Sequence, residues 1–381
     1  MRNFGVVLEE MANVKPTLIQ SYPMIGGDGP HSYLRNSTYQ KAAIESVRAK
    51  IKETILAKLG LKTTKLDLNT YKIADFGCSV GSNTLDVIQN IIETLKLKHQ
   101  QEETKGNNHE HLEFHVFFND QTDNDFNTLF KTLPRYHLDR EIFACGVPGS
   151  FYRRLFPRNS LHIGHTSNTL VWLSTTPEDV CNRNSQAWNK NSILCTNLVE
   201  QVTEAYRNQF KKDMRAFIAA RAQELVPGGL MIILGLCLPD GVQMIRTWKG
   251  VVYDMIRDCL IDMAKSGIIK EEKVESFKLP IYFPQFSELK EVIEQNGCFS
   301  IEVMEEVKHP MEDMPFTDGF IISMFRAMLH GFIEEHFGGG VVDELFDRFG
   351  KKSTRDRSIY SRASQKDMQY FILLKKKIDR S

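Results

Sequence analysis

The sequence lacks an excess of either charge and a long apolar run. Lys plus Arg and Asp plus Glu number 48 each, and no dense basic run is interleaved with aromatics, so nucleic acid is not an expected partner. No stretch approaches the roughly 18 consecutive apolar residues of a membrane span, so no membrane association is expected. Residues 1–21 include Glu9 and Glu10 without a long apolar core, and they predict a flexible N-terminal extension rather than a signal peptide.

Paired cysteines are also missing. The seven cysteines are spread singly with no C-x-x-C pair, which argues against a disulfide framework or a zinc knuckle and fits a reducing compartment. Hydrophobic residues make up 42% of the chain and charged residues 25%, values that are ordinary for a soluble enzyme. A cytoplasmic enzyme is therefore the expectation.

Strand-like and helix-like segments alternate along the chain. Apolar residues at helical spacing predict helices over 39–59, 82–98 and 212–226. This alternation predicts an α/β fold with a mostly parallel sheet covered on both faces. The predicted strands are 71–77, 112–120, 141–151, 160–174, 228–236 and 368–378.

The long interval between the fifth and the last predicted strand is dominated by helix-like segments, and it is too long for a simple crossover. It predicts an inserted α-helical cap over the sheet. The polar segment 99–111, by contrast, lacks periodicity and predicts a surface loop. The predicted division is an α/β core from 22–177, 211–241 and 365–381, and a cap or substrate domain from 178–210 and 242–364.

The turn after the first strand, "ADFGCSVGSN", is the expected place for a cofactor, since ligands bind outside the carboxyl ends of parallel strands. Gly77 and Gly81 are spaced G-x-x-x-G, not G-x-G-x-x-G, which disfavours a nicotinamide oxidoreductase. Asp75 suits a cationic sulfonium and its amino group better than a phosphate. Asp120 ends the second strand, where an acidic residue can bind both hydroxyls of a ribose. An adenosyl cofactor is favoured.

These stretches resemble the SABATH family of plant methyltransferases, whose members methylate salicylate, jasmonate, loganate, farnesoate or caffeine precursors. The matching segments include "GGDGPHSYLRNSTYQ", "IADFGCSVGSNT", "FHVFFNDQTDNDFNTLF", "GVPGSFYRRLFPRNSLHIGHTS" and "SFKLPIYFP", in family order from about residue 22 to 284. The resemblance implies a Rossmann-like, S-adenosyl-L-methionine-dependent methyltransferase sheet with an inserted α-helical cap, commonly a homodimer. The family's methyl-donor positions fall here on Tyr33, Asp75, Asn83, Asp120, Ser150 and Phe151, and Gly77 and Gln121 are also predicted to bind the cofactor.

The resemblance also implies how the acceptor is held. The carboxylate positions fall on Gln40 and Trp172, whose amide and indole N–H groups are neutral donors that can orient a carboxylate. An arginine would form a stronger charge-assisted pair and weaken the nucleophile. The remaining predicted pocket residues are Asn168, Val171, Val252, Tyr253 and Tyr282, with Phe320 and Phe325 as further candidates.

A magnesium site proposed for some family members is in doubt here. Its positions match Asn189, Glu275, Phe277 and Lys278, and a lysine cannot coordinate a cation. The sequence therefore predicts no metal site, and it predicts that magnesium is dispensable for activity.

The predicted reaction is carboxyl O-methylation of a small terpenoid, phenolic or alkaloid acid. A carboxylic acid is already ionised at neutral pH, so no catalytic general base is expected, and His162 and His165 are interpreted as structural. One alternative is an N-methyltransferase of a heterocycle such as a xanthine. Another is a binding protein that keeps the pocket without turnover.

Overall fold

A computed structural model describes most of the chain. The predicted extension 1–21 and the predicted loop residues 104–111 lie outside the described residues. The described residues are 22–60, 70–103, 112–136, 141–190, 192–196, 198–309, 317–356, 358–361 and 368–378.

The centre of the molecule is a seven-stranded sheet in the order β3-β2-β1-β4-β5-β7-β6. β1 through β5 pair in parallel, whereas β7 runs antiparallel to both β5 and β6. The prediction of a mostly parallel sheet is confirmed. The strands are β1 Thr70–Phe76, β2 Glu113–Asp120, β3 Ile142–Pro148, β4 Leu161–Ser167, β5 Leu225–Cys237, β6 Phe299–Val307 and β7 Met368–Lys376.

Helices cover both faces of this sheet. Short 3-10 turns lie at Leu133–Tyr136 and Met244–Arg246. The helices are α1 Tyr33–Asn36, α2 Thr38–Lys58, α3 Ser82–Glu103, α4 Phe126–Thr132, α5 Glu178–Cys181, α6 Glu200–Glu224, α7 Trp248–Lys265, α8 Glu271–Ser276, α9 Phe286–Asn296, α10 Asp318–Phe337, α11 Val341–Arg355 and α12 Ser358–Ser361.

The central strands are buried because each face of the sheet has its own core. Side chains alternate along β5: Ile232 packs with α2 and α3, while Met231 and Ile233 pack with α6 and the cap helices. With both faces covered, β4 and β5 are buried almost throughout, as is usual for strands inside a parallel sheet.

Two predictions about secondary structure are wrong. The segment 242–364 was expected to be helical, yet it contains β6 at the edge of the sheet. Glu302 and Glu305 interrupt the apolar pattern of this strand and reach back to lysines of α2, at 3.0 and 2.8 Å. The start of the predicted loop 99–111 is instead the last turn of α3, where His99 is buried and its Nε2 lies 3.1 Å from Tyr71 Oη.

The predicted third and fourth strands end earlier than expected, and this places a loop over the sheet. β4 stops at Ser167 because Asn168 adopts a left-handed φ of 58°. The following residues pair with the segment after α8 through a bridge between Trp172 and Ile281. This loop, with α7, α10 and α11, forms the cover above the carboxyl ends of the strands.

Candidate active site

A cavity of about 590 Å³ lies between the carboxyl ends of β1–β4 and the cap. It is where a doubly wound sheet is expected to bind its ligand. The structure brings most of the predicted site residues together on its wall. These are Tyr33, Gln40, Gly77, Asp120, Gln121, Ser150, Phe151, Asn168, Val171, Trp172 and Tyr253.

Asp120 is an acidic group of the cavity wall that the backbone holds in place. Its two carboxylate oxygens accept hydrogen bonds from the backbone N–H groups of Ser79 (2.7 Å) and Gln121 (2.8 Å). Burial raises the pKa of Asp120 to about 6, because removal from water disfavours the charged form. A carboxylate fixed in this way can still accept from the two hydroxyls of a ribose, which is the role predicted from the sequence.

Several buried polar atoms on the same wall fit a hydroxyl- and amine-bearing ligand. Ser79 Oγ, Gln121 Oε1 and Asn168 Oδ1 have no hydrogen-bond partner among the described residues. Buried polar groups are normally paired, so these atoms point to a ligand that completes them. The ring of Phe151 lines the same cavity and offers an apolar face for a flat base. S-adenosyl-L-methionine carries all of the required groups, so the residues present fit it.

Gly77 sets the path of the first loop. Its φ is 84°, and a Cβ at this position would lie 2.0 Å from Thr169 Cγ2. A side chain there would push apart the loop after β1 and the loop after β4. Only glycine allows this approach without strain.

Asp75 and Asn83 were predicted to contact the methyl donor, but they lie behind the cavity wall. Asp75 is paired in register with His165 of β4, and its carboxylate lies 2.7 Å from His165 Nδ1. Thr84 of α3 donates to its other oxygen. Asn83 donates to Ser37 Oγ and its carbonyl, at 3.0 and 3.2 Å. Both residues therefore support the loop instead of lining the cavity.

A buried ion pair, which the sequence reasoning missed, holds the loop after β3. Arg221 and Glu224 of α6 are fully buried and 2.7 Å apart. Arg221 donates to the carbonyl oxygens of Phe151 (2.8 Å) and Arg153 (3.0 Å). Glu224 accepts from the N–H groups of Leu155 and Phe156. Both charged side chains thus hydrogen-bond to the backbone of the loop that carries Ser150 and Phe151. The sequence feature that could have indicated this ion pair is the i, i+3 spacing of its two residues in "ARAQE".

The predicted carboxylate clamp, Gln40 and Trp172, lines the other end of the cavity. The indole of Trp172 stacks on Phe332 of α10 with 5.4 Å between centroids and 5° between planes. Tyr152 Oη donates to the Trp172 carbonyl at 2.6 Å, which ties the clamp to the loop after β3. Gln40 Oε1 is buried without a partner among the described residues.

Val252 and Tyr282 were predicted to line the pocket, and the structure places both outside it. On α7, Lys249 and Tyr253 face the cavity one turn apart, whereas Val252 turns into the core. Tyr282 points away and donates to Glu288 at 3.0 Å.

Other residues that sequence reasoning left out complete the acceptor side. Phe325 lines the cavity as predicted, but Phe320 does not. The acceptor-side residues missing from the prediction are Tyr22, Met24, Tyr39, Lys249, Ile281, Phe283, Met324, Met328 and Phe332.

The doubtful metal positions are occupied by the chain's own contacts. Asn189 donates to the Leu194 carbonyl (3.0 Å), and Glu275 pairs with Arg183 (2.8 Å) and Lys190 (3.2 Å). Lys278 Nζ donates to the carbonyl oxygen of Glu275 at 2.6 Å and lies 3.3 Å from that of Phe277. Burial lowers the pKa of Lys278 to about 8. The described residues contain no cluster of three or more His, Cys, Asp and Glu able to hold a metal ion.

None of the helices in the described ranges is long and apolar enough to cross a membrane.

Comparison with known proteins agrees with this geometry. A probable S-adenosylmethionine-dependent methyltransferase of Arabidopsis thaliana is 56% identical, over 95% of this chain and 99% of the relative. Paraxanthine methyltransferase 2 of the same plant is 41% identical, over 94% and 99%. A solved structure of loganic acid methyltransferase with SAH superimposes with a TM-score of 0.87 at 41% identity, over 94% of this chain and 99% of that chain. The family model for SAM-dependent carboxyl methyltransferases matches residues 19–377, and the chain therefore belongs to this family, as the SABATH resemblance predicted.

Proposed function

We propose that the enzyme esterifies the carboxylate of a small specialised-metabolite acid with the methyl group of S-adenosyl-L-methionine. The observation that carries this proposal is the joint position of Gln40 and Trp172, two neutral donors, in the same cavity as Asp120. A clamp of neutral donors orients a carboxylate without neutralising it. The acid's hydrocarbon part would meet the apolar and aromatic side chains of α7 and α10. Terpenoid, phenolic and alkaloid acids have this character.

The chemistry requires alignment more than proton transfer. When bound, S-adenosyl-L-methionine supplies a methyl group on a sulfonium whose leaving group is a neutral thioether. A carboxylate oxygen forms the new bond to the methyl carbon, and the electrons of the broken C–S bond remain on sulfur. Gln40 and Trp172 would aim the oxygen, Tyr152 would hold Trp172, and the cap would exclude water. Positioning of this kind lowers a barrier by several kcal/mol.

We propose no catalytic general base. A carboxylic acid has a pKa near 4 and is ionised at neutral pH, so no proton has to be removed. The two histidines of β4 support this view: His165 is paired with Asp75, and His162 Nδ1 accepts from the Lys72 N–H at 2.7 Å. No histidine of the described residues lines the cavity.

The test is transfer of label from S-adenosyl-L-methionine to a panel of terpenoid, phenolic and alkaloid acids and xanthines. Base-labile label on an acid is the expected result, because methyl esters hydrolyse in base. Donor binding without transfer to any compound would contradict the proposal and indicate a protein that has lost turnover.

A second candidate is N-methylation of a heterocycle. The relative named paraxanthine methyltransferase 2, which is 41% identical to this chain, favours it. Base-stable label on a xanthine nitrogen would establish this activity in place of ester formation.

The oligomeric state and the cellular compartment of the enzyme are also part of the proposal. We propose a homodimer in the cytoplasm. The family resemblance supports the dimer, and the described cysteines, all of them free, support a reducing compartment. Analytical ultracentrifugation tests the first point, and localisation of a fluorescent fusion tests the second.

A further inference from the structure

Gln40 brings two polar atoms to the acceptor end of the cavity. It lies in the first turn of α2, is 9% exposed and lines the cavity. Its Nε2 donates to Met328 Sδ of α10 at 3.8 Å, whereas its Oε1 is buried without a partner among the described residues. Buried polar atoms of side chains normally have a hydrogen-bond partner, so this oxygen calls for a donor that a ligand can supply.

The local sequence offers the Gln40 side chain another role, which the fold does not use. Ser37 and Gln40 have the S-x-x-Q spacing of a capping box, in which each side chain bonds to the backbone of the other residue. α9 forms such a box with Gln285 and Glu288. Ser37, by contrast, makes no side-chain cap bond, and its Oγ accepts from Asn83 at 3.0 Å. Helix capping therefore does not account for the position of the Gln40 amide.

The contact with Met328 determines which way the Gln40 amide points. With the amide turned over, Oε1 would face the thioether sulfur, and neither of these atoms carries a hydrogen to donate. The observed orientation lets Nε2 donate to the sulfur instead. An amide nitrogen carries two hydrogens, so one of them remains for a ligand. Gln40 can therefore donate to one atom of the bound acid and accept from another.

A carboxylate alone does not complete this amide. An ionised carboxylate only accepts hydrogen bonds, so it can take the N–H groups of Gln40 and Trp172 but cannot donate to Gln40 Oε1. The oxygen and nitrogen of an amide lie side by side, so the missing donor has to be close to the carboxylate. A hydroxyl on the neighbouring carbon has this position. An ammonium there would cost more to bury and would draw charge from the reacting oxygen.

We propose that Gln40 Oε1 accepts a hydrogen bond from a hydroxyl on the carbon next to the reacting carboxylate, so that the enzyme selects 2-hydroxy acids with an apolar remainder. This inference rests on the proposed function, since it takes the carboxylate as the methylated group. The hydroxyl keeps its proton and is not methylated. Trp172 then serves the carboxylate alone, whereas Gln40 contacts the carboxylate and the hydroxyl together and sets the choice between an acid and its hydroxylated form.

The experiment uses the full chain with S-adenosyl-L-methionine and sets of three matched acids, such as octanoic, 2-hydroxyoctanoic and 2-methoxyoctanoic acid. The variants are Gln40→Met, which keeps the size of the side chain, and Trp172→Phe as the matched control within the same clamp. We expect the wild type to prefer the hydroxy acid over the other two by about tenfold in kcat/KM, the scale of one hydrogen bond to a buried group. Gln40→Met should lose this preference. Trp172→Phe should lower kcat/KM for all three acids by the same factor and keep it.

Equal use of the hydroxylated and unsubstituted acids by the wild type would overturn the inference. So would a preference that the methoxy acid shares, because a methoxy group cannot donate, or a preference that persists in Gln40→Met. Calorimetric binding of the acids to the S-adenosyl-L-homocysteine complex separates this failure from a failure of the proposed function. Tighter binding of the hydroxy acid that depends on Gln40, without any ester, contradicts only the reaction; esters of all three acids without preference contradict only the contact with Gln40.

Discussion

The two ends of the cavity are built in different ways. The donor end is formed by loops that directly follow β1, β2 and β3, and its key carboxylate, Asp120, is fixed by backbone N–H groups. The acceptor end is assembled from segments far apart in the chain: α2, the loop after β4, α7, the segment after α8, and α10. A change at the donor end should therefore alter cofactor binding alone, whereas one at the acceptor end should alter the choice of acid.

The largest expected effect is at the donor end. Asp120→Asn replaces a charged acceptor with a neutral amide, and two hydrogen bonds to a ribose would lose about 3 kcal/mol in total, roughly a hundredfold in Kd. Isothermal titration calorimetry with S-adenosyl-L-methionine measures this change in Kd. Asp213→Asn is the matched control, because the pKa of Asp213 is likewise raised to about 6 by burial, but this residue accepts from Ser174 on the acceptor side. A similar loss of affinity for the methyl donor in both variants would contradict the inference that changes at the acceptor end leave donor binding unaffected.

Trp172→Phe tests the acceptor end. Phenylalanine keeps a ring against Phe332 but removes the indole N–H, so we expect kcat/KM for the acid to fall by about 1.5–2 kcal/mol, roughly 10- to 30-fold. The Kd of the methyl donor should stay unchanged. Trp188→Phe makes the same change beside Arg183 and Lys190, outside the cavity. This variant should leave kcat/KM for the acid and the Kd of the methyl donor unchanged. If Trp172→Phe weakens donor binding, the bond from Tyr152 to its carbonyl couples the two ends more tightly than we infer.

The same contrast explains what could be predicted from the sequence. Strand ends can be located from local apolar runs, and ligands bind beyond the ends of parallel strands, so Asp120 and Gly77 were predicted correctly as cavity residues. Asp75, predicted to contact the methyl donor, pairs with His165 instead of lining the cavity, and its position in the chain does not show that the two residues lie in register.

The acceptor end was less predictable because it depends on helix orientation. Lys249, Val252 and Tyr253 are close in sequence, but only two of them face the cavity, and the rotation of α7 is set by packing across the whole cap. The strand β6 was missed for a related reason: it is stabilised by pairing with β7, more than 60 residues later, and not by its own pattern.

A pH titration would sharpen the difference between the two ends. The raised pKa of Asp120, about 6, means that this carboxyl takes up a proton as the pH falls through 6 and loses its capacity as a charged acceptor. Donor affinity should be full above pH 7 and fall by about tenfold at pH 5, one unit below that pKa. The acid substrate stays ionised over this range. Titration of donor binding in the wild type and in Asp120→Asn checks this, since the variant should show a flat profile; a parallel decline in both would assign the transition to another group.

The smallest expected effect is that of metal removal. Lys278 Nζ already donates to the backbone oxygens of Glu275 and Phe277, at 2.6 and 3.3 Å, so the positive charge at these carbonyls comes from the chain itself. We expect EDTA to leave kcat and KM for the acid unchanged. Lys278→Met should lower the free energy of unfolding by about 1–3 kcal/mol, because buried carbonyl oxygens lose their donor, while the Kd of the methyl donor stays the same. Activity that disappears with EDTA and returns with Mg²⁺ would show that the enzyme needs a cation after all, and that Lys278 does not replace it.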